Sequence, residues 1–234
     1  MKTAPRLYVT VDLPGPVPLS DGQTNYLKNV LRLAVGATVF VFNGRDGEFA
    51  ATITALSKKT GTLEATRRVR AQTPAPTLTY AFAPPKFARL DYLVEKAAEM
   101  GAGALQPVMT QHTQMRRLNL ARLQANVIEA CEQCGILTVP PVHAAVDLHD
   151  LLAATGTLIV ADEGLAGTPG AAIDDIRAAK PPLTVLVGPE GGFSIAERAA
   201  IQARAIRVGL GPRILRADTA AVALLALVEA AHPS

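Results

Sequence analysis

The stretch that most constrains this chain runs from Leu183 to Val228 and reads LTVLVGPEGGFSIAERAAIQARAIRVGLGPRILRADTAAVALLALV. Leu183 to Val187 is an apolar run of the length of a buried strand, too short for a helix. Gly188-Pro189-Glu190-Gly191-Gly192 breaks it. Three glycines and a proline in five residues permit positive φ and let main chain approach a ligand with no Cβ in the way. Ser194 and Glu197 stand in Ser-x-x-Glu spacing, a capping box that predicts a helix to about Ala205. A second strand, Ile206 to Leu210, leads into Gly211-Pro212-Arg213. After Ile214-Leu215-Arg216-Ala217, either Asp218 or Thr219 is expected to cap a final Ala/Leu/Val-rich helix. Two successive strand–glycine loop–helix units make a crevice lined by backbone N–H and C=O groups, where parallel α/β sheets bind ligands. Either loop alone would also suit an ordinary strand-to-helix turn.

The rest of the chain divides in two. Residues 1 to about 72 predict a small β-barrel. Gln23 to Leu33 has helical spacing; Thr38 to Phe42 and Glu48 to Leu56 pair across an Asn43-Gly44 turn, and Thr62 to Val69 follows. Gln72 to Pro76 is the linker. From there strands (Leu78 to Phe82, Ala104 to Met109, Leu158 to Ala161) alternate with helices. These are Lys86 to Met100, with Phe87, Leu90, Val94, Ala97 and Ala98 on one face, then Leu118 to Cys134, Asp147 to Ala154 and Ile173 to Ala179. Such alternation predicts a mostly parallel sheet with helices on both faces. Charge follows the same division. The first 73 residues hold ten Lys/Arg against five Asp/Glu, the remainder thirteen against fifteen. A basic segment on a near-neutral body suggests a polyanion-gripping module; a merely basic surface is the bland alternative.

Composition and motifs exclude several classes. The N-terminus lacks the apolar core of a signal peptide, and the last apolar helix is too short to span a bilayer. With two cysteines in 234 residues, a reducing, cytoplasmic setting is expected. Cys131 and Cys134 form a C-x-x-C at a helix end with no second pair, and His112, His143, His149 and His232 are scattered, so packing is favoured over a metal site. Glu99 to Ala104 has an acidic-Gly-x-Gly look, but it ends a helix and enters a strand, the reverse of a dinucleotide loop. No Gly-x-Ser-x-Gly or Walker loop occurs. A glycine loop at a helix N-terminus also suits phosphate, so a non-catalytic nucleotide- or RNA-binding protein is the second reading. Glu190 counts against it, since a carboxylate there repels phosphate and suits a sulfonium with an amino group and a ribose.

VGPEGG followed by LGPRILRADTA resembles the SPOUT methyltransferases, specifically the family that methylates N3 of a uridine in 16S ribosomal RNA of the small subunit. Asn25 to Arg32, Phe42-Asn43-Gly44, Lys86 to Gly101, Glu129 to Gly135 and Val139-Pro140 extend the likeness along nearly the whole chain. The resemblance implies a PUA-like, RNA-binding barrel over residues 1–72. It further implies a SPOUT domain with a deep trefoil knot over 73–234, a homodimer, and S-adenosylmethionine as cofactor without metal or membrane. Leu186, Gly188, Pro189, Glu190, Gly191, Gly192, Leu210, Gly211, Ile214, Leu215 and Thr219 are then expected to hold the cofactor. Arg216 would steady charge on the uracil or a phosphate, and Asp218 is the nearest candidate base. Arg32, Arg45, Lys86, Arg89, Arg116 and Arg117 are candidate RNA contacts. Tyr26, Ile136 and Ala217-Asp218 stand where the family has histidine, arginine and Thr-Glu.

Overall fold

The computed structural model describes residues 4–167 and 172–233. The chain forms two compact units, one built from the sequence up to Pro74 together with Cys131–Val139, the other from Ala75–Ala130 together with Pro140 onward.

In the first unit β1 (Arg6–Tyr8), β2 (Gly15–Pro18), β3 (Thr38–Phe42), β4 (Glu48–Leu56) and β5 (Gly61–Arg70) form one mixed sheet in the order β1-β3-β4-β5-β2. β1 lies parallel to β3 and the remaining pairs are antiparallel. Register shifts at three places along β4 and β5 add local twist, which curls a sheet. Both edge strands accordingly reach one core: Leu7 and Val17 pack with Val39, Val41, Phe49, Ile53 and Leu63. Leu27 enters that core from a helical plug. The expected Gln23–Leu33 helix is two short pieces, α1 (Asp21–Asn25), started by a Ser20–Gln23 capping box, and a π-helical turn, Tyr26–Val30. The wide turn widens the spacing that read as one helix, and Tyr26 packs half-buried on the core. The two edge strands went unread because β1 is only three residues long and β2 is Gly-Pro-Val-Pro.

Asn43 holds the β3–β4 turn. Its amide donates to Val11 O and Asp46 Oδ2 at 3.0 and 2.6 Å and accepts from the N–H groups of Arg45 and Asp46. The bond from Asn43, and next that from Leu13 N–H at 3.0 Å, hold the Asp46 carboxyl below its ordinary range. Cys131–Val139 is tied to this unit by backbone and side-chain bonds: Tyr8 N–H to Glu132 Oε1 at 2.7 Å, Arg70 to Gly135 O at 2.9 Å and Gln72 to Thr138 at 2.9 Å.

The second unit is a parallel sheet of β6 (Thr79–Phe82), β7 (Ala104–Met109), β8 (Val146–Asp147), β9 (Thr157–Ala161), β10 (Leu183–Val187) and β11 (Ile206–Val208). The order is β11-β9-β10-β6-β7-β8, and every pairing is parallel. Between them run α2 (Phe87–Glu99), α3 (Leu120–Cys134), α4 (Leu148–Ala153), α5 (Ala172–Ala178), α6 (Ile195–Arg204) and α7 (Ala217–Ala231). Strand alternation sorts the faces. Ala81, Val108, Leu158, Val160 and Leu186 pack with Leu148 of α4 and Ile201 of α6, while α2, α5 and α7 pack together elsewhere in the unit, α7 against β10. On α2, Leu90, Val94, Ala97 and Ala98 are buried as the spacing predicts; the side chain of Phe87 lies outside the described residues. No helix among the described residues is long and apolar enough to cross a membrane.

Candidate active site

Because β11, β9 and β10 are adjacent and parallel, their C-terminal residues Val208, Ala161 and Val187 open on one edge of the sheet. A cleft of about 240 Å³ lies there. Gly188, Pro189, Glu190, Gly192 and Phe193 wall it after β10. Leu210, Arg213, Ile214, Leu215 and Arg216 do so after β11, followed by Ala217 and Ala220 of α7. Between them stand Ala161, Asp162, Glu163 and Ala166, the turn after β9.

This third wall was not anticipated. The sequence did carry its signal, since Asp162-Glu163-Gly164 follows the strand expected to end at Ala161, and ligand sites gather at such strand ends. Asp162 ties the walls together. Its Oδ1 accepts from Gly164 N–H at 2.8 Å and Arg198 at 3.4 Å, and its Oδ2 from Arg207 at 3.0 Å. Arg198 also donates to Glu163 at 2.7 Å and to Phe193 O at 3.1 Å. Arg213 and Arg216, by contrast, form no ion pair among the described residues. The cleft thus combines committed, paired charges with two uncommitted guanidinium groups.

The first glycine loop ends where the sequence says. Ser194 Oγ accepts from Glu197 N–H and Glu197 Oε2 from Ser194 N–H, both halves of the capping box. Gly192 has φ +67, and a Cβ there would lie 2.7 Å from Glu163 Oε1. A Cβ on Gly188 would lie 2.7 Å from the Phe193 ring.

Other expected cofactor residues sit apart. Leu186 is fully buried on the α4/α6 face, because alternation turns Val187 and not Leu186 toward the cleft. Gly191 packs on His112, and neither Gly211 nor Thr219 is among the cleft walls. The cap of the last helix also differs from expectation. Arg216 is the N-cap, with φ −68° and ψ 154° and no side-chain cap bond, since a guanidinium has no acceptor to offer. Asp218 falls within the first turn, where a negative charge favours the helix dipole. Its Oδ1 takes the N–H of Thr219 at 2.8 Å. Asp218 is not a cleft wall.

Tyr80, on β6, stacks on Phe82 with ring centroids 5.4 Å apart. Its hydroxyl is buried without a hydrogen-bond partner. Burial, and secondarily the negative charge of Asp218, push its ionisation well above the ordinary value. An unpaired buried hydroxyl costs about 1–3 kcal/mol, so Tyr80→Phe is expected to raise stability by roughly 1 kcal/mol. A urea titration of both proteins checks this.

The candidate RNA contacts are spread over both units. Arg32 is exposed with φ +55°, a left-handed backbone for a non-glycine residue. Arg45 is exposed but paired to Asp12 at 2.7 Å. Lys86 is the exposed N-cap of α2 and Arg89 is half-buried. Arg117 is exposed, and Arg116 edges a second cavity of about 450 Å³. Cys131 is buried, its thiol pushed up to about 12 chiefly by burial, while Cys134 is exposed; a thiol so raised packs and does not react. Among the described residues no group of three or more His, Cys, Asp or Glu is placed to hold a metal ion.

Comparison with known proteins agrees with this geometry. The RNA methyltransferase domain family matches residues 72–229, and the RNA methyltransferase PUA domain family matches residues 19–65. The chain is similar to the ribosomal RNA small subunit methyltransferase E of Rickettsia conorii, 33% identical over 213 residues, covering 90% of this chain and 87% of that one. It is 33% identical over 221 residues to the protein of that name from Synechocystis, covering 92% and 73%. The crystal structure of the Neisseria gonorrhoeae ribosomal RNA small subunit methyltransferase E bound to S-adenosyl methionine superposes with a TM-score of 0.85 at 31% identity, covering 97% of this chain and 98% of that one. With such identity along nearly its whole length, and with two glycine loops meeting at one cleft, the chain belongs to the ribosomal RNA small subunit methyltransferase E family.

Proposed function

We propose that the protein methylates N3 of a uridine in 16S ribosomal RNA, using S-adenosylmethionine held in the cleft at the ends of β9, β10 and β11. The observation that carries this reading is the pair of glycine loops converging on one cleft in a chain of this family. The cleft suits the cofactor. Gly188 and Gly192 let the Phe193 ring and Glu163 close in where a Cβ would clash, and Glu190, which forms no ion pair among the described residues, offers a carboxylate to a cation or an amino group. The Glu190 carboxylate counts against a purely nucleotide-binding role. When bound, the cofactor supplies an electrophilic methyl group on a sulfonium.

The chain's own task is to orient the uracil and manage its proton. N3 is protonated at neutral pH, and negative charge develops on the ring and its oxygens as that proton passes to a base; the charge is consumed when the N–C bond forms and the methyl's bond to sulfur breaks, leaving a neutral thioether. Arg216 is always cationic and presents a planar fork of donors, suited to steadying that charge. Asp218, in the first turn of α7 just beyond the cleft walls Arg216 and Ala217, is the candidate base; its Oδ2 has no hydrogen-bond partner among the described residues. The target must be unpaired or flipped, since a paired N3 is inaccessible. The last helix supports a homodimer: its buried stripe is Ala217, Ala220, Ala221, Leu224, Leu225 and Val228, yet Val222 and Leu227 on its flanks are only half-buried; the knotted C-terminus rests on the family likeness. A homodimer acting in the cytoplasm completes the reading.

Calorimetric titration with S-adenosylmethionine, followed by mass mapping of methylated RNA, tests it. Absence of binding, or a methyl group elsewhere than uridine N3, refutes it. Gly192→Val is expected to weaken cofactor binding by about tenfold or more: the free loop relaxes out of the left-handed backbone, and restoring it on binding costs a β-branched residue at least about 1–2 kcal/mol. The same titration reads the result.

For the RNA grip, removing the first 73 residues is a poor test, because Cys131–Val139 packs with that unit and would lose its support. Arg32→Gln is the cleaner variant. It is expected to lower RNA affinity and to reduce the slope of log affinity against log salt by about one, with cofactor binding unchanged. An unaltered slope places the grip elsewhere.

A further inference from the structure

The turn after β7 is unusually well fixed for an exposed loop. Thr110 and Thr113 are both buried at 5% exposure. Thr110 N–H donates to Thr113 Oγ1 at 2.9 Å, the two hydroxyls lie 2.8 Å apart, and Thr113 N–H returns to Thr110 O at 3.2 Å. This closed turn presents Gln111 and His112 to the first glycine loop. Gln111 N–H donates to Glu197 Oε1 at 2.8 Å, while the other oxygen of Glu197 caps α6 through Ser194. His112 Nδ1 lies 3.1 Å from Gly191 O and 2.9 Å from Gly192 O. Both of those atoms are carbonyl oxygens and can only accept, so Nδ1 must carry the proton and donate to the pair.

The consequence for the loop is directional. Within a trans peptide the N–H points opposite the C=O. By drawing the Gly191 and Gly192 carbonyls to itself, His112 turns the N–H groups of Gly192 and Phe193 away. The first of these closes the loop onto Pro189 O at 2.9 Å. Gly192, Phe193 and Pro189 are all cleft walls, whereas His112 is not. Residue 191 is held small for the same reason: a Cβ there would lie 3.2 Å from the Cβ of His112.

We infer that His112 is a positioning residue for S-adenosylmethionine. It sets the peptide orientation of the first glycine loop from behind, as an Nδ1–H donor shared by two carbonyls, without touching the ligand. The inference rests on the proposed cofactor reading, and its test separates the two. Asparagine places its amide nitrogen the same number of bonds from Cβ as His Nδ1 and can donate in its place, whereas alanine cannot.

Three measurements on the full chain decide the matter. In the free protein, the ¹⁵N shifts of the imidazole should report the Nδ1–H tautomer for His112. In titration with S-adenosylmethionine, His112→Ala should bind about tenfold more weakly, the scale of one or two neutral hydrogen bonds lost. His112→Asn should stay within about threefold of wild type by the same conversion. An Nε2–H tautomer, wild-type affinity in His112→Ala, or an asparagine variant as weak as a folded alanine variant each overturns the inference. Should His112→Ala fail to fold, the asparagine variant and the tautomer still decide. Should the wild type not bind S-adenosylmethionine at all, the cofactor reading fails, and the tautomer alone tells whether the clamp exists.

Discussion

Arg216→Ala is expected to slow methyl transfer by a factor of about 10² to 10³, on the order of 2.7–4 kcal/mol, the scale for losing one donor aimed at developing charge. The expectation comes from its place and its freedom. Arg216 lines the cleft at the junction of the second glycine loop and α7, and no carboxylate among the described residues holds its side chain. Its backbone carbonyl starts the helix by accepting from Ala220 N–H at 2.8 Å, a role that alanine preserves. Stability and S-adenosylmethionine affinity should therefore change little. Lysine should rescue only in part, because a point charge cannot reproduce a planar fork. Single-turnover methylation at saturating cofactor, with a melting curve alongside, checks both halves. Normal turnover with a lowered melting temperature would make Arg216 a structural residue.

Gly103→Ala should destabilise the protein by about 3 kcal/mol or more, at the upper end for overpacked substitutions. Gly103 stands between α2 and β7, where its N–H donates to Leu78 O at 2.7 Å. A Cβ there would lie 1.8 Å from Pro76 O and 2.7 Å from Pro76 C. Both obstacles are backbone, so no rotamer change relieves them; the entry to β6 or the register of β7 against it must move. At this chain length the loss corresponds to a fall in melting temperature of roughly 6–12 °C. A change under about 1 kcal/mol would mean that the Pro76 backbone yields easily.

Much of the second unit was legible along the chain. The mostly apolar stretches Ala104–Met109 and Leu183–Val187 became strands with those bounds, since a short apolar stretch between turn residues has few other ways to bury itself. Ser194 and Glu197 announced the start of α6 because a capping box is closed by residues three apart. The two glycine loops named the family, and they do meet at one cleft. Less local features were hidden. Nothing at Gly15–Pro18 reads as a strand, because its place is given by β5 across the sheet. The EACEQCG segment reads as a helix end, yet from Cys131 onward it packs with the unit built from the first 74 residues.

The site divides in the same way. Sequence named Gly188, Glu190, Gly192 and Arg216, whose spacing from a strand end or helix start is local. It did not bring in Asp162 and Glu163, since only the sheet order sets β9 between β10 and β11, nor the grip of His112 on a loop 79 residues away. Sequence also assigned Leu186 to the cleft, one residue from the wall that alternation selects. Local chemistry determines caps, turns and the length of each element. Which strand ends become neighbours, and which face each side chain presents, is decided by the pairing of distant segments around shared cores.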